Sequence, residues 1–100
     1  MKEYIFTQYL NNICAHLGID SSDLFVKTKG AGVVEARQLL YYLCHVKRQM
    51  GLTEIMGYTS NQGFHEDQAN IKRSCERVEE RLNSDPDYAH IITKLDRVEL

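Results

Sequence analysis

Between Glu66 and Leu82 the chain carries side chains suited to binding nucleic acid. Glu66, Ala69, Asn70, Arg73 and Arg77 recur at spacings of three and four, so a helix there displays them on one face. Cationic and amide groups in that arrangement can reach phosphates and base edges. A plain solvated helix face has the same pattern. A second set lies in Lys27-Thr28-Lys29-Gly30-Ala31-Gly32, where two cations and two glycines read as a loop that contacts phosphate or simply connects two helices. It lacks G-x-x-x-x-G-K-[ST], which excludes a nucleotide P-loop. Cys14, Cys44, Cys75 and four histidines supply candidate nucleophiles and bases, but none sits in a catalytic motif. The cysteines are odd in number, lack C-x-x-C spacing and fall on or near apolar stripes, which reads as buried free thiols in a reducing compartment. Cys44-His45 has no second pair to complete a zinc site. No enzyme activity, metal or cofactor is expected.

The elements that would position these groups are helical. In 3–17, Ile5, Tyr9, Ile13 and Leu17 form a stripe widened by Phe6, Leu10 and Cys14, and Gly18 reads as a stop. Asp20, Ser21 and Ser22 can cap a short turn, 22–26. In 33–50, Val33, Ala36, Leu39, Leu40, Leu43, Val46 and Met50 keep helical spacing, and the absence of Gly and Pro predicts one uninterrupted helix ended by Gly51. Arg37, Tyr41 and Arg48 are expected to point away from the core. A short helix over 52–58 buries Ile55 and Met56, with Thr53 as a possible cap, and 59–65 reads as a turn. The 66–82 helix buries Ile71, Cys75, Val78 and Leu82, with Phe64 extending the stripe. After the Asn83-Ser84-Asp85-Pro86 break, capped by Ser84 or Asp85, a closing helix over 86–97 carries Tyr88, Ile91, Ile92 and Leu95. The expected fold class is all-α, five to six helices, with a helix-turn-helix outline over about 52–82.

The chain has 100 residues, 43% of them hydrophobic, which suits one domain over 1–100 with a working core and no disulfides. It shows no membrane-length apolar run and no leader, so a cytoplasmic protein is expected. The net charge of −2 is not the global signature of a nucleic-acid binder. The distribution is uneven, however: 20–50 is net positive through Lys27, Lys29, Arg37, Lys47 and Arg48, while the chain from Ser84 on is net negative.

Four stretches, in order, resemble the C-terminal duplex-DNA-binding domain of the bacterial replication initiator DnaA. His16-Leu17-Gly18-Ile19, then Asp23-Leu24-Phe25 with Lys27 and Lys29, resembles that family's opening helix end, short turn and basic loop. Val33 to Leu43, VVEARQLLYYL, is similar to V-A-R-x-R-Q-x-A-M-Y-L. Leu52-Thr53-Glu54-Ile55 looks like L-P-E-I. Asp67 to Val78 resembles the recognition helix D-H-T-T-V-L-H-A-C-R-K-I, including Cys75. The likeness covers most of 5–97.

The resemblance implies a minor-groove role for Arg37 and backbone contacts from Lys27 and Lys29. It implies base reading by Asp67, Gln68, Ala69 and Asn70, with Lys72 and Arg73 beside them. Gln68-Ala69 stand where the family has His-Thr. Glutamine can pair with adenine and alanine can meet a thymine methyl, so a different target sequence is expected. Glu66 and Glu35 replace family basic residues, and the turn before Glu66 is about four residues longer. The expected function is a stand-alone, sequence-specific double-stranded DNA binder acting in replication initiation or its regulation, without ATPase activity. With so few cations, its affinity would be weak and salt-sensitive and could call for dimerisation or a replication-protein partner. The alternative is an interaction module that has lost DNA binding and holds replication proteins through Tyr41, Tyr42 or Tyr58. Its basis is the acidic balance, Glu66 and Glu35.

Overall fold

The computed structural model describes residues 1–26 and 30–99, and of Ala31 only the backbone; Lys27 and Lys29 lie outside the described residues. Among the described residues there are six α-helices and no strand. They are α1 (Lys2–Leu17), α2 (Ser21–Leu24), α3 (Ala31–Tyr42), α4 (Leu52–Asn61), α5 (Gln68–Ser84) and α6 (Tyr88–Leu95), and α3 runs on into a π-helical turn, Leu43–Lys47. None is long and apolar enough to cross a membrane.

α1 buries Ile5, Phe6, Tyr9, Leu10, Ile13 and Cys14, the stripe its spacing predicts. It ends at Gly18, whose φ of 68° lets its N–H and that of Ile19 fold back onto the Cys14 carbonyl. A side chain would be strained in that left-handed conformation. The Asp20 side chain accepts from the Ser22 N–H at 3.0 Å and starts α2.

α3 lies at the centre, against α1, α2 and α5. Its Ala36, Leu39, Leu40 and Tyr41 are fully buried, so Tyr41 does not point away from the core as its spacing suggested. Nor is the 33–50 helix uninterrupted. From Leu43 the backbone widens: the Arg48 N–H bonds the Leu43 carbonyl (3.2 Å) and the Met50 N–H bonds the Cys44 carbonyl (3.0 Å), with Gln49 left-handed at φ 56°. A π-turn inserts a residue and shifts the register. Here Cys44 and Met50 both reach the core, while Val46, expected on the stripe, is turned out to 37% exposure. Burial of Met50 and a 2.8 Å hydrogen bond between His45 Nδ1 and the Met50 carbonyl offset the strain at Gln49.

α4 begins where Glu54 reaches back to the Gly51 N–H at 3.0 Å, a role sequence reading gave to Thr53. It extends to Asn61, past the expected end, because Thr59 is fully buried and Met56 only half-buried. The turn is thus confined to Gln62–Asp67, with Gly63 at φ 82°. Ser84 belongs to α5 rather than capping α6, and Asp85 Oδ1 accepts from the Asp87 N–H at 3.1 Å. One apolar cluster joins residues of all six helices, including Leu24, Ile55, Ile71, Val78, Tyr88, Ile92 and Leu95. All three cysteines are free and buried in it.

Candidate nucleic-acid interface

α5 starts two residues later than its apolar spacing suggests. Asp67 is extended (φ −109°, ψ 160°), and its Oδ1 accepts from the Asn70 N–H at 2.7 Å, a side-chain N-cap worth about 1 kcal/mol. Glu66 is therefore not on the displayed face but 94% buried beneath the first turn. Its Oε2 accepts from the Tyr41 hydroxyl at 2.8 Å, and its Oε1 accepts from Asn70 Nδ2 at 2.8 Å and the Asp67 N–H at 3.2 Å. A buried carboxylate must be met by donors, and here they come from α3, from α5 and from the backbone between them. Burial, reinforced by the Glu66 charge, pushes the Tyr41 hydroxyl far above its ordinary pKa.

With Glu66 beneath it, the first turn of α5 displays Gln68, Ala69, Asn70, Lys72 and Arg73, all exposed. Asn70 is pinned from below, and Arg73 Nη2 lies 3.5 Å from Asn70 Oδ1. No described residue forms an ion pair with Lys72 or Arg73. Further along, Arg77 faces Glu80 at 4.0 Å and remains exposed. The displayed row Ala69, Asn70, Arg73 and Arg77 stands as the spacing predicts, without Glu66. The inner face holds Ile71, Cys75 and Val78 and the Ser74 hydroxyl, which bonds the Asn70 carbonyl at 2.9 Å.

Arg37 is half-buried beside this turn. Its guanidinium lies 4.8 Å from the Phe64 ring centroid, and Nη1 is 3.4 Å from the Val26 carbonyl, the last described residue before 27–29. Phe64 packs on Phe25 (6.1 Å), Phe25 on Phe6 (6.2 Å) and Phe6 on Tyr58 (5.5 Å). This aromatic row fixes the long turn against α1, α2 and α4. The structure thus brings Arg37 next to the entry of α5 and to Val26, the last described residue before 27–29. The arginine lies along a ring rather than standing out from the surface.

Two acidic residues had argued against a DNA-binding face, and both have partners within the chain, Glu66 in the interior and Glu35 at the surface. Glu66 is buried, and Glu35 Oε1 pairs with Arg81 Nη1 at 2.9 Å, with the Arg81 guanidinium also 4.0 Å from the Tyr88 ring centroid. Of the tyrosines offered for partner binding, Tyr41 and Tyr42 are buried and Tyr58 is half-buried against Phe6. Their amphipathic rings sit at helix crossings. Sequence reasoning missed the pairing of Tyr41 with Glu66, and only the one-turn offset between Arg37 and Tyr41 hinted that both face the same neighbour. No group of three or more His, Cys, Asp or Glu able to hold a metal occurs among the described residues. Compared with protein-family models, curated proteins and solved structures, the chain matches none.

Proposed function

We propose that this chain is a double-stranded DNA-binding domain of the DnaA C-terminal kind that reads sequence through the first turns of α5. The observation that supports it best is the support beneath that turn. A Tyr41–Glu66–Asn70 network, buried at Tyr41 and Glu66, underlies a capped first turn on which Gln68, Ala69, Asn70, Lys72 and Arg73 are exposed. A base-reading helix needs that fixed presentation, because bidentate pairing tolerates little displacement. Gln68 and Asn70 carry amide groups that match adenine, Ala69 offers a methyl contact, and Lys72 and Arg73 take phosphates. Arg37, Lys27 and Lys29 grip the flanking backbone. The domain works in the cytoplasm in replication initiation or its regulation, beside replication proteins or as a homodimer, and supplies no ATPase chemistry of its own.

Fluorescence polarisation with random duplex and with a duplex bearing a DnaA-type box, at low and moderate salt, tests this. The expected result is salt-sensitive binding, weakened across all sequences by Lys72→Ala or Arg73→Ala and altered in sequence preference by Gln68→Ala. Absence of binding at low salt overturns the proposal.

A further inference from the structure

A second cationic feature lies away from α5. A hollow of about 340 Å³ opens between the C-terminal half of α1 and the end of α6, lined by Asn12, Ala15, His16, Lys94, Leu95 and Arg97. Asn12, Ala15 and His16 share one face of α1 through their three-and-four spacing. The other wall is the end of α6 and the segment after it, tied to α1 by one side chain. Asn12 Nδ2 donates to the Leu95 carbonyl at 3.1 Å and to the Arg97 carbonyl at 2.7 Å. That places Lys94 and Arg97 across the hollow from His16.

The charge around this hollow is sorted. Asp96 is the only acidic residue between Lys94 and Arg97, and it is turned the other way, accepting from the Tyr9 hydroxyl and lying 4.0 Å from Arg48 Nη2. Among the described residues, no acidic side chain lines the hollow. The side chains of His16, Lys94 and Arg97 are exposed and take part in no hydrogen bond or ion pair among the described residues. Cations near helix C-termini are favoured by the helix dipole, which accounts for Lys94 singly. It does not account for Lys94 and Arg97 both lining one hollow beside His16 in a chain of net charge −2.

We propose that this hollow binds a phosphate group, held by Lys94 and Arg97 with His16 opposite. A guanidinium and an ammonium converging on one anion form charge-assisted hydrogen bonds stronger than either makes with water alone. The phosphate belongs either to a duplex backbone or to a free phosphorylated molecule.

The test is an NMR titration of amide signals in the full chain with inorganic phosphate, using chloride at matched ionic strength as reference. Saturable shifts at Ala15, His16 and Lys94 to Arg97 are expected, with apparent affinity about tenfold or more weaker in the Lys94→Gln/Arg97→Gln double variant. Both positions are exposed, so the variant keeps the fold, and an unchanged melting midpoint verifies this. Shifts that do not saturate, that chloride reproduces, or that persist in the double variant overturn the proposal. A duplex titration then assigns the source. If the double variant loses duplex affinity and phosphate competes, the site takes a backbone phosphate; if duplex affinity is unchanged, it takes a free phosphorylated ligand. The phosphate titration reads α1 and α6 directly, so its outcome is independent of whether α5 binds DNA.

Discussion

Two buried tyrosine hydroxyls in this chain donate to carboxylates, and their surroundings differ. Tyr41 meets Glu66 beneath the first turn of α5, where an amide and a backbone N–H complete the carboxylate's partners and Glu66 is 94% buried. Tyr9, midway along α1, meets Asp96, and Arg48 Nε also donates to its hydroxyl at 2.8 Å while both charged side chains stay partly open to water. The first junction relies on neutral donors in a dry place; the second has a cation and solvent. A carboxylate that loses a donor in the first has nowhere to turn, whereas in the second it can turn to water. The first therefore holds the orientation of the α5 entry, and the second fastens the segment after α6 to α1.

The largest effect is expected from Tyr41→Phe, which strips buried Glu66 of its hydroxyl donor. Stability should fall by about 1.5–3 kcal/mol, read as a urea midpoint, and duplex binding should weaken with it because Asn70 and the α5 entry loosen. If Tyr41→Phe costs no more than Tyr9→Phe, the contrast between the junctions is wrong.

Next comes the alkaline limb. Burial, aided by the hydrogen bond to Asp96, pushes the Tyr9 hydroxyl up to about 12, and burial pushes Tyr41 higher still. Each stays protonated in the folded chain after its unfolded counterpart has ionised near 10. The unfolded state then binds fewer protons, so stability is complete below about pH 10 and declines as pH rises from there towards 12. Urea midpoints should drop over that interval, and phenolate absorbance should show Tyr9 ionising before Tyr41. The reverse order would contradict the burial ranking.

Tyr9→Phe at neutral pH should cost about 0.5–1.5 kcal/mol, since both partners of its hydroxyl, Asp96 and Arg48, can turn to water. The smallest change is expected from Arg48→Ala, below about 1 kcal/mol by thermal melt, since its ion pair to Asp96 is long and solvent-screened and the Tyr9 hydroxyl it leaves still donates to Asp96. A loss comparable to Tyr41→Phe would make the second junction as closed as the first.

Much of the fold was legible because local spacing and punctuation carry it. The α1 stripe follows from period alone, and Gly18 marks its end because only glycine enters the left-handed region at little cost. The same holds for the inner face of α5 at Ile71, Cys75 and Val78 and for the outward row Ala69, Asn70, Arg73 and Arg77. Less of the candidate site was legible. Period places Glu66 on the displayed face, yet Asp67 caps the helix behind it and the chain turns Glu66 inward. Period gives Arg37 and Tyr41 one outward direction, yet α5 packs over that side of α3. The π-turn at Leu43–Lys47 carries no Gly or Pro to announce it.

The sequence by itself determined six stretches with helical periodicity or caps, the stops between them and the cationic and amide composition of α5, because these depend on residues within a few positions of each other. The tertiary structure alone decided that Glu66 is an anchor rather than a repelling charge, that Glu35 belongs to Arg81, that Arg37 lies on Phe64, and that His16, Lys94 and Arg97 surround one hollow. Each of these joins elements far apart in the chain. Whether a polar side chain faces water or a buried partner depends on which donor another helix brings to it, and no local pattern encodes that.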